Sequence, residues 1–588
     1  MTADEIAAGS VPDSIESSVP NRWPAVVGIT TLGVTIVHLL ALIGNHGPVL
    51  YSDALGYLGN ARFLAGGATP TFDGSFSYAA GYSLLLVPLY WITEQSEVVW
   101  TASVAINVGL SVLIMLPAYQ LGRRVFDLGR YQALFVSAAV SLTPALILQP
   151  GRIWVETLFP LVFLMATLAV FVLFDRGTVP YAALSGVLVG YLVFIHGRGL
   201  AVAAAFLIVL VVGVAIKRLP LLPAVVGAIS TASVVIIDLF LRSYLRDHLW
   251  SASDAPANAG SVGRIIGAYV PDHLVATLST GLGQMWYVIV VSFGIAAVGF
   301  VALAVTAFGG DLRRPSDASS RAVALFALLA VGGVAILSAG LLAEVNRVDH
   351  RVYGRYLDGV TPILILAGTA WLLKMRSSWR WLGIAALAIP VTGLALYTMR
   401  GSEQFVGNVQ QFAIPGLLGL QSIVDPTDAV FLDGLDVLAI SALAAFIGIV
   451  AALVIRWNRV IGVAAVITLT VGITFVGKTT SWDPFVSFWF EAYDNIPTAL
   501  NDLAEDQPIQ YDLRFLDPDA RNLYEFRLAP RPLSFVDDAC DATTGDALIS
   551  SGDPDLVGAS AGPLAADSVP DQGLWLIDTP MPEACGQP

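Results

Sequence analysis

The chain has 588 residues, of which 56% are hydrophobic and only 13% charged, with a mean hydropathy of +0.74. A soluble domain is about half apolar and a quarter charged, so a water-soluble globular enzyme is excluded, and recurrent apolar runs of bilayer-crossing length predict a protein of many spans. The net charge of −15 arises after residue 477: residues 1–477 carry 25 basic and 25 acidic side chains, and residues 478–588 carry 5 basic and 20 acidic, with no basic footprint for nucleic acid.

Residues 1–24, rich in Ser, Pro, Asp and Glu, read as a disordered cytoplasmic arm. They lack a basic start, and no small-residue cleavage site follows the first apolar run, so that run is expected to stay in the mature protein. Residues 25–477 read as the membrane domain, with thirteen spans near 25–44, 98–120, 131–148, 154–174, 180–195, 198–216, 221–242, 284–308, 321–343, 360–373, 381–398, 435–455 and 460–477. With the N-terminus inside, the inner loops hold 14 basic residues, among them Arg123, Arg124, Lys217, Arg218 and Arg321, against four acidic ones. That asymmetry is the positive-inside pattern. An odd number of spans then places the acidic tail outside. The inner loops are too short for a nucleotide-binding domain of usual size. Loops 45–97, 243–283, 344–359 and 399–434 face outward, so chemistry is expected on that side.

The first outer loop reaches Tyr51-Ser52-Asp53 directly after the first span. Asp53 to Leu64, apolar at Leu55, Leu58 and Leu64, suits a helix along the membrane surface. Asp53 is then either its cap or a functional carboxylate. Further on, Gly81-Tyr82-Ser83-Leu84-Leu85 runs to Pro88-Leu89-Tyr90-Trp91, which is apolar but too short to span. It reads as an interfacial or re-entrant segment with Tyr82, Tyr90 and Trp91 at headgroup level.

This order of first span, acidic residue, Tyr-bearing surface helix containing Tyr57, and Gly-Tyr-Ser-Leu-Leu segment resembles the GT-C superfamily of integral membrane glycosyltransferases. The branches it is most similar to depend on lipid carriers and include protein O-mannosyltransferases and aminoarabinose transferases. The resemblance spans roughly residues 25–400 and implies an all-α polytopic catalytic domain. The family often carries paired acidic residues in this loop, whereas Ala54 follows Asp53 here. A divalent metal is therefore left open.

Three further constellations follow. In Gly151-Arg152-Ile153-Trp154-Val155-Glu156, Arg152 and Glu156 stand four apart, so a helix would put them on one face. They form either a structural ion pair or part of a site, and GT-C relatives carry an acidic residue similarly placed. His196-Gly197-Arg198-Gly199 lies at an outer turn, where Arg198 either snorkels or holds a phosphate. Between residues 344 and 358, Arg347, Arg351 and Arg355 recur every four residues with His350, Tyr353 and Tyr356 interleaved. A helix would align the three arginines, on a face where the positive-inside rule disfavours cations. They either pair with Glu344, Asp349 and Asp358 or meet a lipid phosphate, which guanidinium binds through two parallel hydrogen bonds.

The tail, residues 478–588, shows an amphipathic helix over 486–504, a strand at Ile509–Asp512, a helix over 517–528 and short apolar runs at Leu533–Val536, Ala547–Ser550 and Leu574–Ile577. Strands alternating with helices predict a small extracytoplasmic α/β domain. Cys540 and Cys585, the two cysteines, either form one disulfide in that exported tail or are unrelated thiols.

The expected function is a multi-pass cell-membrane glycosyltransferase, with the lipid bilayer as its solvent. It moves a sugar from a polyprenyl-phosphate donor to a glycan, lipid or protein acceptor of the cell envelope, with inversion. Asp53 is the expected base, and Glu156 positions the sugar or a cation. Arg351, Arg355, Tyr356, Arg198 and His350 are expected at the donor phosphate. Tyr57, Tyr82, Arg152, His196 and Tyr353 are expected around the substrate. Mannose and arabinofuranose both stay open as the sugar. A sugar or lipid transporter is the alternative, disfavoured because the ionisable residues gather at one rim rather than at mid-membrane.

Overall fold

The apolar runs fold as helices because a chain in lipid must satisfy its backbone internally. A computed structural model describes residues 22–45, 47–48, 52–67, 78–249, 259–309, 315–343, 347–375, 377–426, 430–492, 495–501, 503, 507–512, 523–524, 526–529, 531, 533–536, 546–551, 563, 565–567 and 572–576. Among them, nine helices are long and apolar enough to cross a membrane, or eleven if each of two bent pairs counts as one span. The bent pairs are Arg130–Ser141 with Pro144–Gly151, at 66°, and Asp349–Asp358 with Thr361–Lys374, at 74°. The fold is therefore polytopic and all-α, with fewer full-length spans than the thirteen expected.

The differences have local causes. The expected span 284–308 is two helices, Pro271–Val291 and Ile295–Phe308, because Phe293 and Gly294 adopt positive φ values of 50° and 90° and turn the chain. Val179–Ile195 and Gly199–Ala215 are short apolar helices of 17 residues joined at the His196 turn. The expected span from 154 begins only at Leu158. The surface helix forms over Ser52–Leu64, but Ala54, Leu55, Tyr57, Leu58 and Ala61 are buried in protein. Ala80–Tyr90 is a helix whose Tyr82 and Tyr90 are likewise buried in protein, and of the three aromatic residues expected at headgroup level only Trp91 is exposed. Gly81 permits this packing, since a Cβ there would strike the Phe194 backbone at 2.5 Å.

Small residues also set the helix pair that carries the bent segment. A Cβ added at Gly299 would run into the Leu364 carbonyl, and one at Gly368 into the Ile295 carbonyl. The Ile295–Phe308 and Thr361–Lys374 helices thus meet backbone to backbone, as small residues allow inside membranes. Gly299→Val is expected to lower the thermal unfolding temperature in detergent, through overpacking worth about 1–3 kcal/mol.

The tail builds a five-stranded sheet. Two short strands, β1 (Val406–Val409) and β2 (Leu432–Gly434), pair antiparallel between the Ser378–Arg400 and Val437–Trp457 helices. The tail strands are β3 (Ile509–Asp512), β4 (Leu533–Val536), β5 (Ala547–Ser551), β6 (Ala565–Asp567) and β7 (Gln572–Leu576), in the order β4-β3-β5-β7-β6. β3 runs parallel to β4 and β5, and β7 runs antiparallel to β5 and β6. β6 is the strand the sequence reading lacked. The buried Asp567 on it accepts from Tyr524 Oη at 2.6 Å and from Asn495 N at 2.8 Å, which fastens the Asn495–Asn501 helix to the sheet edge. The expected helix over 486–504 is realised as Asp483–Ala492 and Asn495–Asn501. Cys540 and Cys585 lie outside the described residues, as does most of the helix expected over 517–528.

Candidate active site

Four charged side chains far apart in sequence meet beside the Ser52–Leu64 helix. Arg355 heads a single helical turn, Arg355–Asp358, at the kink of the second bent pair. Its Nε donates to Glu156 Oε1 at 2.9 Å, and its Nη2 donates to Asp53 Oδ2 at 2.5 Å and to Glu156 Oε2 at 3.4 Å. The guanidinium lies over the Trp154 ring, 4.0 Å from its centroid. Arg198 approaches Glu156 Oε1 at 3.6 Å and donates through Nη1 to the carbonyl of Arg355 at 3.1 Å. It therefore holds the turn that carries Arg355.

The two carboxylates differ in access. The Glu156 side chain is 1% exposed and that of Asp53 is 28% exposed. Asp53 also accepts from Tyr78 Oη at 2.8 Å. Two carboxylates against two guanidinium groups make a neutral cluster, the arrangement under which buried charge is tolerated.

Aromatic rings wall the cluster. Tyr57 packs against Tyr78 and Tyr82, with centroids 5.2 and 5.4 Å away. Burial, reinforced by Asp53 and Glu156, pushes the Tyr57 phenol well above its ordinary range, so it is protonated. Tyr356 lies between His196 and Tyr353, at 5.4 and 4.9 Å. Burial, followed by the charges of Arg198, Arg355 and Arg242, holds His196 neutral, well below the usual imidazole range. Its Nδ1 accepts from Arg198 N at 3.1 Å. Tyr82 Oη donates to Asn107 Oδ1 at 2.9 Å, Thr157 Oγ1 reaches the same oxygen at 2.9 Å, and Asn107 Nδ2 donates to Arg152 O at 2.6 Å.

Asp53, Glu156, Arg198, Arg355, Tyr356, Tyr57, Tyr82, His196 and Tyr353 thus form one neighbourhood, and two expected arrangements fail. Residues 152–157 are not helical, so Arg152 does not share a face with Glu156. Its guanidinium instead lies over Trp482, at 5.3 Å. The Arg347-Arg351-Arg355 stripe does not form either, because the segment is a 3₁₀ turn over Asp349–Val352 followed by the Arg355–Asp358 turn. Arg347 pairs with Asp349 at 2.5 Å, and His350 stands 3.8 Å from the same carboxylate. Tyr78, Trp154 and Asn107 were not singled out in the sequence. Only Asn107 carried a signal, as an amide inside an apolar helix. Among the described residues no three His, Cys, Asp or Glu side chains gather as a metal site. Asp53 and Glu156 already share Arg355, so this donor set does not fit a resident divalent ion.

No protein-family model matches the sequence, and no curated protein matches it. Solved structures do. The chain is similar to ArnT from Cupriavidus metallidurans bound to undecaprenyl phosphate, with TM-score 0.54 and 15% identity over 95% of this chain and 98% of that one. It also matches the arabinosyltransferase EmbB from Mycobacterium smegmatis, with TM-score 0.43 and 16% identity over 81% of this chain and 42% of that one. An oligosaccharyltransferase from Archaeoglobus fulgidus matches with TM-score 0.44 and 9% identity, over 88% and 64%. Over nearly the whole of both chains, this protein has the fold of that ArnT structure.

Proposed function

We propose that this protein is a membrane glycosyltransferase that moves a sugar from a polyprenyl-phosphate donor to an acceptor hydroxyl at the extracytoplasmic face. The observation that supports it best is the half-open Asp53 carboxylate, oriented by Tyr78 and Arg355 and backed by the buried Glu156. The similarity to an ArnT structure holding undecaprenyl phosphate, over nearly the whole of both chains, is the reason to choose a lipid-linked donor.

Asp53 accepts the proton of the acceptor hydroxyl as that oxygen attacks the anomeric carbon. The phosphate leaves with the bonding electrons on the opposite face of the sugar, so the anomeric centre inverts. Glu156 touches no substrate: it fixes the Arg355 fork, and Arg355 fixes Asp53. Trp154 supports the Arg355 guanidinium, which lies 4.0 Å from its ring centroid. Within the 347–355 segment Arg351, which pairs with no carboxylate among the described residues, is the expected partner of the charge that the phosphate gains. The positive-inside pattern supports an N-terminus in the cytoplasm and a tail outside, with residues 1–24, 25–477 and 478–588 as arm, catalytic domain and soluble domain.

The reading is tested by incubating purified protein with polyprenyl-phosphate sugars and envelope glycans and assigning the anomer of the product by NMR. Retention of configuration, or no transfer from any such donor, counts against it. Tyr78→Phe removes one hydrogen bond to a charged oxygen, worth about 1.5–3 kcal/mol. It is expected to lower kcat by about 10-fold or more while leaving donor KM near wild type.

A further inference from the structure

Two of the helices that start beside the Asp53–Arg355 cluster build a cavity at their other ends. The Leu158–Arg176 helix starts just after Glu156, and the Gly199–Ala215 helix starts directly after Arg198. They run for 19 and 17 residues. At a rise of about 1.5 Å per residue, their far ends lie about 25 Å from the cluster, close to the depth of a hydrocarbon core. There a cavity of about 220 Å³ opens between these two helices, the end of Ile295–Phe308 and the first turns of Pro315–Leu342. Phe174, Val209, Phe308 and Leu325 line it, and its only polar lining side chains are Arg218 and Arg321. Phe308 is 74% exposed, so the rim is open to the bilayer. Arg321 is half-buried, and among the described residues it donates only to the Gly309 carbonyl, at 3.1 Å. A neutral oxygen leaves its charge uncompensated. Water does not suit this space, because a buried water needs two or more polar partners. An apolar trough that ends at two guanidinium groups has instead the layout of a phospholipid, chain first and phosphate last. Arg218 and Arg321 belong to the short basic loops that the positive-inside pattern assigns to the cytoplasm, and the anionic lipids of that leaflet carry the matching charge.

We propose that this cavity is a binding site for an anionic phospholipid of the cytoplasmic leaflet. One acyl chain enters between Phe174, Val209 and Leu325, and Arg218 and Arg321 meet the headgroup phosphate, to which guanidinium offers parallel hydrogen bonds. The site lies across the membrane from the Asp53–Arg355 cluster and does not rest on the reaction proposed there. A zwitterionic lipid has the same chains but carries its own cation beside the phosphate, so charge is what selects the occupant.

Native mass spectrometry of the full-length protein in detergent tests this, with phosphatidylglycerol and phosphatidylcholine of identical chains titrated separately. Wild type is expected to bind phosphatidylglycerol the more tightly. Arg218→Gln and Arg321→Gln are each expected to raise its dissociation constant about 5-fold, the worth of one basic residue beside an anionic headgroup, and to shift phosphatidylcholine less. Ala307 also lines the cavity, so Ala307→Phe fills it and should weaken both lipids. Equal affinity of wild type for the two lipids overturns the proposal. So does wild-type binding of phosphatidylglycerol by the double variant Arg218→Gln with Arg321→Gln, or by Ala307→Phe. Displacement of bound phosphatidylglycerol by undecaprenyl phosphate would give the cavity to the sugar carrier, and it too overturns the assignment. Arg321→Gln gives up the bond to Gly309, so if it fails to fold, Arg218→Gln and Ala307→Phe decide. None of these readouts needs turnover, so this site and the proposed reaction fail separately.

Discussion

Asp53→Asn is expected to reduce sugar transfer by about 10²–10⁴-fold, the range that a positioned general base contributes, with donor affinity and fold intact. The amide keeps an oxygen for one of the two donors, Tyr78 and Arg355, and it keeps the volume. It loses the basic lone pair, the charge and one of the two acceptor oxygens. Asp53 is the sharper choice of the two carboxylates because it is 28% exposed against 1% for Glu156, so an acceptor hydroxyl can reach only the former. Initial rates with a lipid-linked donor check this, and wild-type-like turnover would remove Asp53 from the mechanism.

Arg355→Ala is expected to be the most destabilising single change at the site. It strips Glu156 of its 2.9 Å partner and leaves only Arg198, at 3.6 Å, to face a carboxylate buried in protein. Removing one member of a buried ion pair costs about 3–5 kcal/mol, because the other charge is left uncompensated. Thermal unfolding in detergent reads that loss. Arg355→Lys keeps the charge but not the planar fork or the stacking on Trp154, and should fall between. The double variant Arg355→Leu with Glu156→Leu should recover part of the stability while remaining inactive, since an apolar pair replaces a buried ion pair but leaves Arg198 and Asp53 without their partners. Recovery of activity in that double variant would show that Arg355 acts only structurally.

Much of the membrane domain was legible one residue at a time. Apolar runs, the basic short loops between them and the charge break at residue 477 need only composition and periodicity. Asp53, Glu156 and Arg355 each stood out because an ionisable residue at a membrane edge is costly without a purpose. Their union was not legible, since Arg355 lies 302 residues from Asp53 and 199 from Glu156. Four-residue spacing misled twice for one reason. At 152–156 and at 347–355 it predicts a shared face only if the segment is helical, and both segments are irregular at kinks between helices. Tyr78 and Trp154 had no pattern of their own and owe their place to the packing of the loop helices.

The sequence by itself determined that this chain lives in a bilayer, that its backbone is helical there, and that its net negative charge lies after residue 477. Those properties follow from solvent and hydrogen-bond satisfaction, which act locally along the chain. Only the tertiary structure decided which charges neutralise each other, which carboxylate remains open, and which arginines are left without a partner. Electrostatic energy in a low-dielectric interior depends on distances between side chains, and helix packing alone sets those distances.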